Sequence, residues 1–486
     1  MNWLQRVDRA KEWIAIYLGA VSCILVPLYI EGSYFGLIEL KARTYLRGAI
    51  PGIAVMAVLV GIGLFGDRNR SGKRDKKTLP KEQKISLILL SLIGAWSLFS
   101  SLMSHSPRLS LLGSRGWCVG SLMTMVLVIE TIIVSRYFQF NPYVLLPVMA
   151  ANLFINILTV IQSASINIFG LQNGLIEGQY YLYLSTIGNA NSYSGYLCLV
   201  LPLFWGAFMS CKEWATEVLY GIFAAFGFMG IILAESDSIY VGIAVCLIFV
   251  LLFVFGSEQY LKRSAILLII YGCCILFVRY FPMFEAKTKR FTGASKIMLG
   301  SPVAEVILVC GIVLYLTAGK IFQSGKGRYL LIALEALIIA VICIFAVNSV
   351  INFNDNWGNT RGGIWRTGWE YFAGLPLGKK ITGLGPEMLF EAYSKMYAET
   401  GRNVVTAHCD ILQVLLAQGI VGLGLYFAFW GHLLTLFFRK KIWKSNTAVF
   451  FFPLAAYWGQ SIFCTVYPVT AVVFSFMAGM YLKNAE

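Results

Sequence analysis

The sequence predicts an all-α, polytopic membrane protein of about fourteen transmembrane helices, forming a single membrane domain over residues 1–486. Three observations carry that reading. Of the 486 residues, 58% are hydrophobic and 13% charged, about half the charge of a soluble domain. Uncharged runs of about twenty residues, the length that crosses a bilayer as a helix, recur from end to end. The runs do not alternate apolar with polar residues as barrel strands do. In lipid each backbone polar group must be bonded within its own segment or in a closed barrel, so helices remain.

Taken in order, the expected spans lie near 13–30, 48–66, 85–103, 117–135, 143–162, 189–209, 218–234, 238–256, 264–281, 302–319, 329–348, 415–438, 447–466 and 467–483. Arg6, Arg9 and Lys11 precede the first run as in a signal peptide. No small-residue cleavage site follows, so a retained first span is expected. Pro468 marks a turn or a kink between the last two runs.

The net charge of +15 raises the question of nucleic acid. Basic loops on a membrane protein are the usual sign of the cytoplasmic side, and no nucleic-acid partner is expected. Segment 67–84 carries eight Lys/Arg against three acids, 439–444 four against none and 320–328 three against none. An even span count puts all three on one side with both termini, which is then cytoplasmic. The eleven cysteines sit mostly inside apolar runs without metal-ligand spacing. They read as small membrane hydrophobes, and neither a metal nor another cofactor is expected.

On the opposite side fall segment 282–301, with Arg290, and the long loop 349–407 between the eleventh and twelfth spans. Their basic residues run against the positive-inside trend, which points to an anion on that face, although long loops also translocate regardless of charge. The same side receives segment 100–117, with Arg115, and segment 185–196. Asn189 sits where a helix enters the membrane, as a helix cap would, with Asn191 beside it. Asp237 opens the next span, where an acid suits the helix dipole. No internal repeat is visible, which disfavours a secondary transporter.

The long loop holds the chemistry. It reads D-N-W-G-N-T-R-G-G-I-W-R at 355–366 and T-A-H-C-D-I-L-Q at 406–413. Ionisable groups held at a membrane face are functional candidates. Trp365, Trp369 and Phe372 are spaced to share one helix face, with Arg361 one turn ahead. An interfacial helix explains the tryptophans but not the arginine. Arg366 has Glu370 four residues on, an ordinary helix pair. Thr406 as a helix cap would place His408 in the first turn of the next helix. There the dipole and nearby arginines keep an imidazole neutral, as a general base requires. Asp410 and Gln413 follow on that helix.

The order of these segments resembles that of the O-antigen ligase / polysaccharide polymerase family of integral membrane glycosyltransferases. The resemblance rests on S-L-L-G-S-R-G at 110–116, T-I-G-N-A-N at 186–191 and R-x-x-x-W at 361–365. It continues with G-L-G-P at 383–386 and A-H-C-D-I-L-Q-x-L-x-x-x-G-x-x-G at 407–422. It implies a GT-C-like fold. It also implies metal-independent transfer of glycan from an undecaprenyl-diphosphate-linked oligosaccharide to the hydroxyl of a glycan or lipid-anchored acceptor. The transfer would take place on the outer face of a bacterial cytoplasmic (inner) membrane, in surface-polysaccharide biosynthesis. His408 matches the family's loop histidine, the expected base, and Arg361 the loop arginine that holds diphosphate. Two departures stand out. Ser236-Asp237 replaces Ser-Arg, and His408-Cys409 replaces His-Asn. Arg115, Arg290 or Arg366 would then complete the diphosphate site, while Asn189, Asn191, Asp237, Trp365, Asp410 and Gln413 line the substrate. A lipid-linked glycan flippase is the competing class; it would show alternating access and no strict need for His408.

Overall fold

The computed structural model describes residues 3–68, 79–113, 117–300, 302–401 and 404–485. It is an all-α polytopic membrane protein. Eleven helices among the described residues are long and apolar enough to cross a membrane. The only strands among those residues are β1 (Tyr183–Leu184) and β2 (Gly188–Asn189), an antiparallel pair. All eleven cysteines are free.

In chain order the helices are α1 (Trp3–Ala20), α2 (Leu37–Arg68), α3 (Lys81–Leu102), α4 (Pro107–Leu112), α5 (Ser121–Tyr137), α6 (Pro142–Ser163), α7 (Ala190–Ser210), α8 (Trp214–Leu233), α9 (Asp237–Val254) and α10 (Glu258–Tyr280). There follow α11 (Gly293–Gly300), α12 (Val303–Gln323), α13 (Gly327–Ile351), α14 (Trp357–Gly374), α15 (Leu377–Thr382), α16 (Phe390–Thr400), α17 (Asp410–Arg439), α18 (Phe452–Ser461) and α19 (Pro468–Ala485). Three expected spans fall outside the eleven. The run 117–135 becomes α5, of 17 residues, and the last run becomes α19, of 18 residues and almost wholly buried. The run 447–466 becomes two tight turns and the ten-residue α18. Ten helical residues rise only about 15 Å, half a hydrocarbon core. Buried apolar turns and a span have the same composition, which is why the sequence does not separate them.

The centre of the bundle is α7, buried along nearly its whole length. Its small residues permit close helix approach: a Cβ on Gly206 would lie 2.5 Å from Val449. Beside it α9 and α18 cross through glycine. A Cβ on Gly242 would meet the Ala456 carbonyl at 2.5 Å, and one on Gly459 would lie 3.0 Å from the Gly242 Cα. This crossing fixes where Gln460, near the end of α18, and Cys464, just beyond it, come to rest. At the other extreme α13 has no buried residue and stands at the edge of the bundle.

The buried charged groups Glu130 and Lys41 are bonded, as burial demands. Glu130 accepts from Ser22 Oγ at 2.6 Å and Tyr45 Oη at 2.5 Å. Lys41 donates to the carbonyls of Val26, Pro27 and Tyr29.

Gly419 breaks α17 into a short arm, 410–418, and a long arm, 420–439; its φ is +69°. The carbonyls freed by the break are met by other parts of the chain. Leu384 N–H donates to Leu416 O at 2.9 Å and Gly385 N–H to Ala417 O at 2.8 Å. Trp96 Nε1–H donates to Gln418 O at 2.8 Å, and Ser100 Oγ–H to Ala417 O at 2.9 Å. Non-helical backbone at membrane depth is stable only when protected in this way. The G-L-G-P segment is therefore the strap that closes the break. Gly383, at φ +76°, passes so close that a Cβ would lie 2.3 Å from Ala417 O.

The 352–409 segment packs on this strap with a small core of its own. Ile364, Phe372, Leu389, Tyr393, Ala407 and Leu416 are among its buried members. The buried stripe of α14 is thus Ile364, Gly368 and Phe372. Trp369, expected on the same face as Phe372, points outward and is 58% exposed.

Candidate functional site

The site forms where α14, the strand-like stretch before α17 and the turn between α18 and α19 meet. Residues 358–360 at the start of α14 take left-handed angles. Arg361 is the first right-handed residue after them. Its Nη1 donates to Gly358 O at 3.2 Å. Its Nε is buried without a hydrogen-bond partner among the described residues, and no described carboxylate pairs with it. A buried guanidinium N–H without an acceptor is costly, so an acceptor brought to this group would be stabilising.

Four residues on, Trp365 Nε1–H donates to Ala407 O at 3.0 Å. From the other side, Ala407 N–H donates to Gln413 Oε1 at 2.9 Å. Ala407 is thereby clamped from both faces, and His408 follows it directly. Trp365 also stacks on Phe463, centroids 6.0 Å apart, with Trp357 5.3 Å from Trp365. These rings wall the recess.

His408 does not sit in the first turn of a helix. The helix begins at Asp410 with Cys409 as its cap, and Thr406 is buried in the preceding stretch. His408 takes a left-handed φ of +48°, an outlying conformation that marks functional positions when the surroundings impose it. Burial first, and the Arg361 guanidinium beside it second, push its imidazole from 6.5 down to about 4. The expected neutrality holds, but from burial and Arg361 rather than from the helix dipole. Neighbouring Cys409 is held above the usual thiol range, first by burial, and stays protonated.

A polar line leads from Arg361 into the bundle. Cys464 and Tyr467 both lie within the field of Arg361. Cys464 Sγ–H reaches Ser238 Oγ at 3.3 Å, and Gln460 Nε2–H reaches Ser238 Oγ at 3.4 Å. Gln460 also donates to Asn191 O at 3.3 Å, while Ser236 Oγ–H donates to Asn191 Oδ1 at 2.9 Å. Asn191 thus joins the Arg361 recess through Gln460 and Ser238.

The remaining candidates serve elsewhere. Asn189 caps α7, its Oδ1 accepting from Asn191 N–H at 2.9 Å. Asp237 accepts Ala294 N–H at 2.8 Å and ties segment 282–301 to α9. Arg366 pairs with Asp355 at 2.5 Å and, more loosely, with Glu370 at 3.9 Å, all exposed. Arg290 lies over the Tyr181 ring at 4.8 Å. Arg115 lies outside the described residues. Asp410 is buried beside the recess and is taken up below.

Several participants were not read from the sequence. Cys464, Phe463 and Tyr467 fall in what reads as a span boundary, and Gln460 and Ser238 inside apparent spans. Lys287, fully buried beneath the 282–301 segment, donates to Tyr181 O at 3.4 Å; burial pushes its ammonium down to about 7, against the pull of Glu235. Among the described residues no three His, Cys, Asp or Glu side chains converge as a metal site would require. Neither a protein-family model nor a curated protein matches the chain.

Proposed function

We propose that the protein is a membrane glycosyltransferase of the O-antigen ligase / polysaccharide polymerase type. It moves glycan from undecaprenyl diphosphate to an acceptor hydroxyl in surface-polysaccharide biosynthesis. The observation that carries this reading is a neutral imidazole, His408, beside a guanidinium, Arg361, whose buried Nε–H has no acceptor among the described residues. The two groups answer the two needs of the reaction. The acceptor hydroxyl attacks the anomeric carbon, and the bond from that carbon to the phosphate oxygen breaks. His408 takes the hydroxyl proton as general base. Arg361, whose planar fork suits phosphate, stabilises the departing diphosphate in a recess where charge is poorly screened. Its arrival near His408 also offsets the guanidinium's charge and raises the basicity of the imidazole toward working pH.

The ordered pair differs from what a flippase needs, since a moving substrate gains nothing from a neutral base clamped through Trp365 and Gln413. A GT-C-like arrangement and an outward-facing recess in a bacterial cytoplasmic membrane belong to the same proposal. The basic segments 320–328 and 439–444 follow helices that lead away from the recess, which supports that orientation. Arg366, already paired with Asp355, is not given a role at the diphosphate.

The test is glycan transfer by the purified protein from a polyprenyl-diphosphate oligosaccharide, with His408→Ala beside the wild type. Loss of transfer in a folded variant is expected. Undiminished transfer by that variant overturns the assignment, and donor movement across liposomes without transfer moves the protein to the flippase class.

A further inference from the structure

A second compartment lies behind the clamped stretch. It is a cavity of about 270 Å³ between α3, α5, both arms of α17 and α19. Thr406, Asp410 and Thr465 line it, and His408 and Arg361 do not. The clamped 406–410 stretch is therefore the shared rim of the two compartments, with the imidazole facing one and a carboxylate facing the other. Trp117, in the cavity lining, packs at a tilt on Tyr467 of the Arg361 recess at 4.6 Å and continues the rim.

The cavity is amphiphilic. One end presents Glu387, Thr406, Asp410 and Gln418; the other presents Leu127, Val128, Phe429 and Ala478. Thr131 and Ala478, each ten residues in from the start of its helix, mark the apolar end. At 1.5 Å per residue that is about 15 Å, one leaflet of a 30 Å hydrocarbon core. No Lys or Arg lines the cavity among the described residues. Asp410 is only 7% exposed, and its carboxylate has no hydrogen-bond or ion-pair partner among the described residues. An unmatched buried carboxylate facing a cavity calls for a donor from a ligand. An acidic lining without Lys or Arg disfavours a phosphate there and admits hydroxyls.

We propose that this cavity binds the lipid-anchored acceptor, a glycolipid whose membrane-proximal head is an uncharged sugar. Its hydrocarbon chain lies against Leu127, Phe429 and Ala478, and its sugar hydroxyls donate to Asp410. Asp410 is two positions beyond His408, at most about 7 Å of extended chain, so a sugar held at the carboxylate reaches the base by extending one ring past the 406–410 rim. The inference rests on the glycosyltransferase reading and sharpens it. Donor and acceptor are sorted by charge, the diphosphate to Arg361 and the neutral head to Asp410. A second diphosphate carrier, which chain extension by a polymerase would bring, does not fit the acidic side, so transfer ends on a lipid anchor.

The experiment uses the full chain in nanodiscs with a photoreactive monohexosyl diacylglycerol, crosslinked peptides being mapped by mass spectrometry. Crosslinks are expected in 426–430 and 474–478, competed by unlabelled glycolipid and not by undecaprenyl phosphate or phosphatidylglycerol. Ala478→Phe, which fills the apolar end, should lower crosslinking at least tenfold. Leu127→Trp serves as a second filling variant, and each is scored only if it elutes as folded protein. Asp410→Lys should reverse the preference toward phosphatidylglycerol. Equal competition by the anionic lipids, or crosslinks confined to other faces, overturns the proposal. Because crosslinking needs no turnover, it can fail while transfer persists, or succeed while transfer is absent; the two readings therefore fall separately.

Discussion

Removing the charge of Arg361 should raise the titration midpoint of His408, by an amount the structure bounds. The imidazole is held at about 4 against an ordinary 6.5. At 1.36 kcal/mol per pH unit that gap is about 3.4 kcal/mol. Burial is the larger cause and Arg361 the smaller, so the arginine accounts for less than half, below about 1.7 kcal/mol. Arg361→Gln should thus lift the midpoint by no more than about 1.2 pH units, leaving it below the ordinary value. With three histidines in the chain, ring ¹⁵N signals can be assigned by single replacement and followed from pH 3.5 to 8 in detergent. The linkage has a definite sign. The unfolded chain binds a proton near 6.5 and the folded one does not until about 4, so stability is full above 6.5 and declines as pH falls toward 4. The variant should soften that decline. An unmoved midpoint would show that the two groups do not face each other. A return to 6.5 would show that burial is not the main cause.

Gly383→Ala and Gly419→Ala should each destabilise the protein by about 2–4 kcal/mol. A left-handed backbone costs an L-residue about 1–2 kcal/mol, and each Cβ would overlap a carbonyl oxygen, which adds to the cost; a fluorescence melting shift measures it, and unchanged melting would remove the strap from the account. Lys287 should make the protein more stable as pH rises from 7 toward 9.5. Its folded ammonium loses its proton near 7 while the unfolded one keeps it to about 10.4, so the unfolded chain binds more protons in that window. Lys287→Met should flatten the melting-temperature profile there, and a profile unchanged by the substitution would contradict this. Trp365→Phe keeps the ring but loses the bond to Ala407, worth about 0.5–1.5 kcal/mol. Transfer should slow by up to about tenfold with donor binding intact; full activity would show that the clamp does not position His408.

The sequence makes the scaffold legible because a bilayer demands long apolar runs, and most such runs became helices. It fails where burial within protein mimics burial in lipid. The 447–466 run is apolar because α18 and its turns are enclosed, and nothing in its composition marks the polar turn at Cys464 as part of a site. Within the loop, His408 and Arg361 stood out as rare charged or titratable types between apolar segments. Their partners did not. Arg366 was matched to Glu370 by helix spacing, yet Asp355, on the far side of the left-handed 358–360 turn, is the nearer partner. Periodicity likewise put Trp369 on one face with Trp365 and Phe372, because it follows the largest rings; the structure groups Phe372 with Ile364 and Gly368 instead, where Tyr393 packs closely.

Four of the ten described non-glycine residues with positive φ belong to the segments that build this site. Asn359, Thr360, Glu387 and His408 all take positive φ without being glycine. Each such residue costs on the order of 1–3 kcal/mol, which persists only if the surroundings over-determine it. Those surroundings are visible. The left-handed turn brings the Gly358 carbonyl to Arg361 Nη1. Glu387 accepts Val119 N–H at 3.0 Å and anchors the strap to the start of the α5 region. Trp365 and Gln413 hold the residue before His408. Relaxing any of these would let the 406–410 stretch join α17 as a continuous helix. His408 and Asp410 would still lie on opposite sides, about 200° apart around one axis, but Ala407 would lose its bonds to Trp365 and Gln413, which set the imidazole beside Arg361. The strain is what keeps the imidazole facing the guanidinium while the carboxylate faces the apolar cavity.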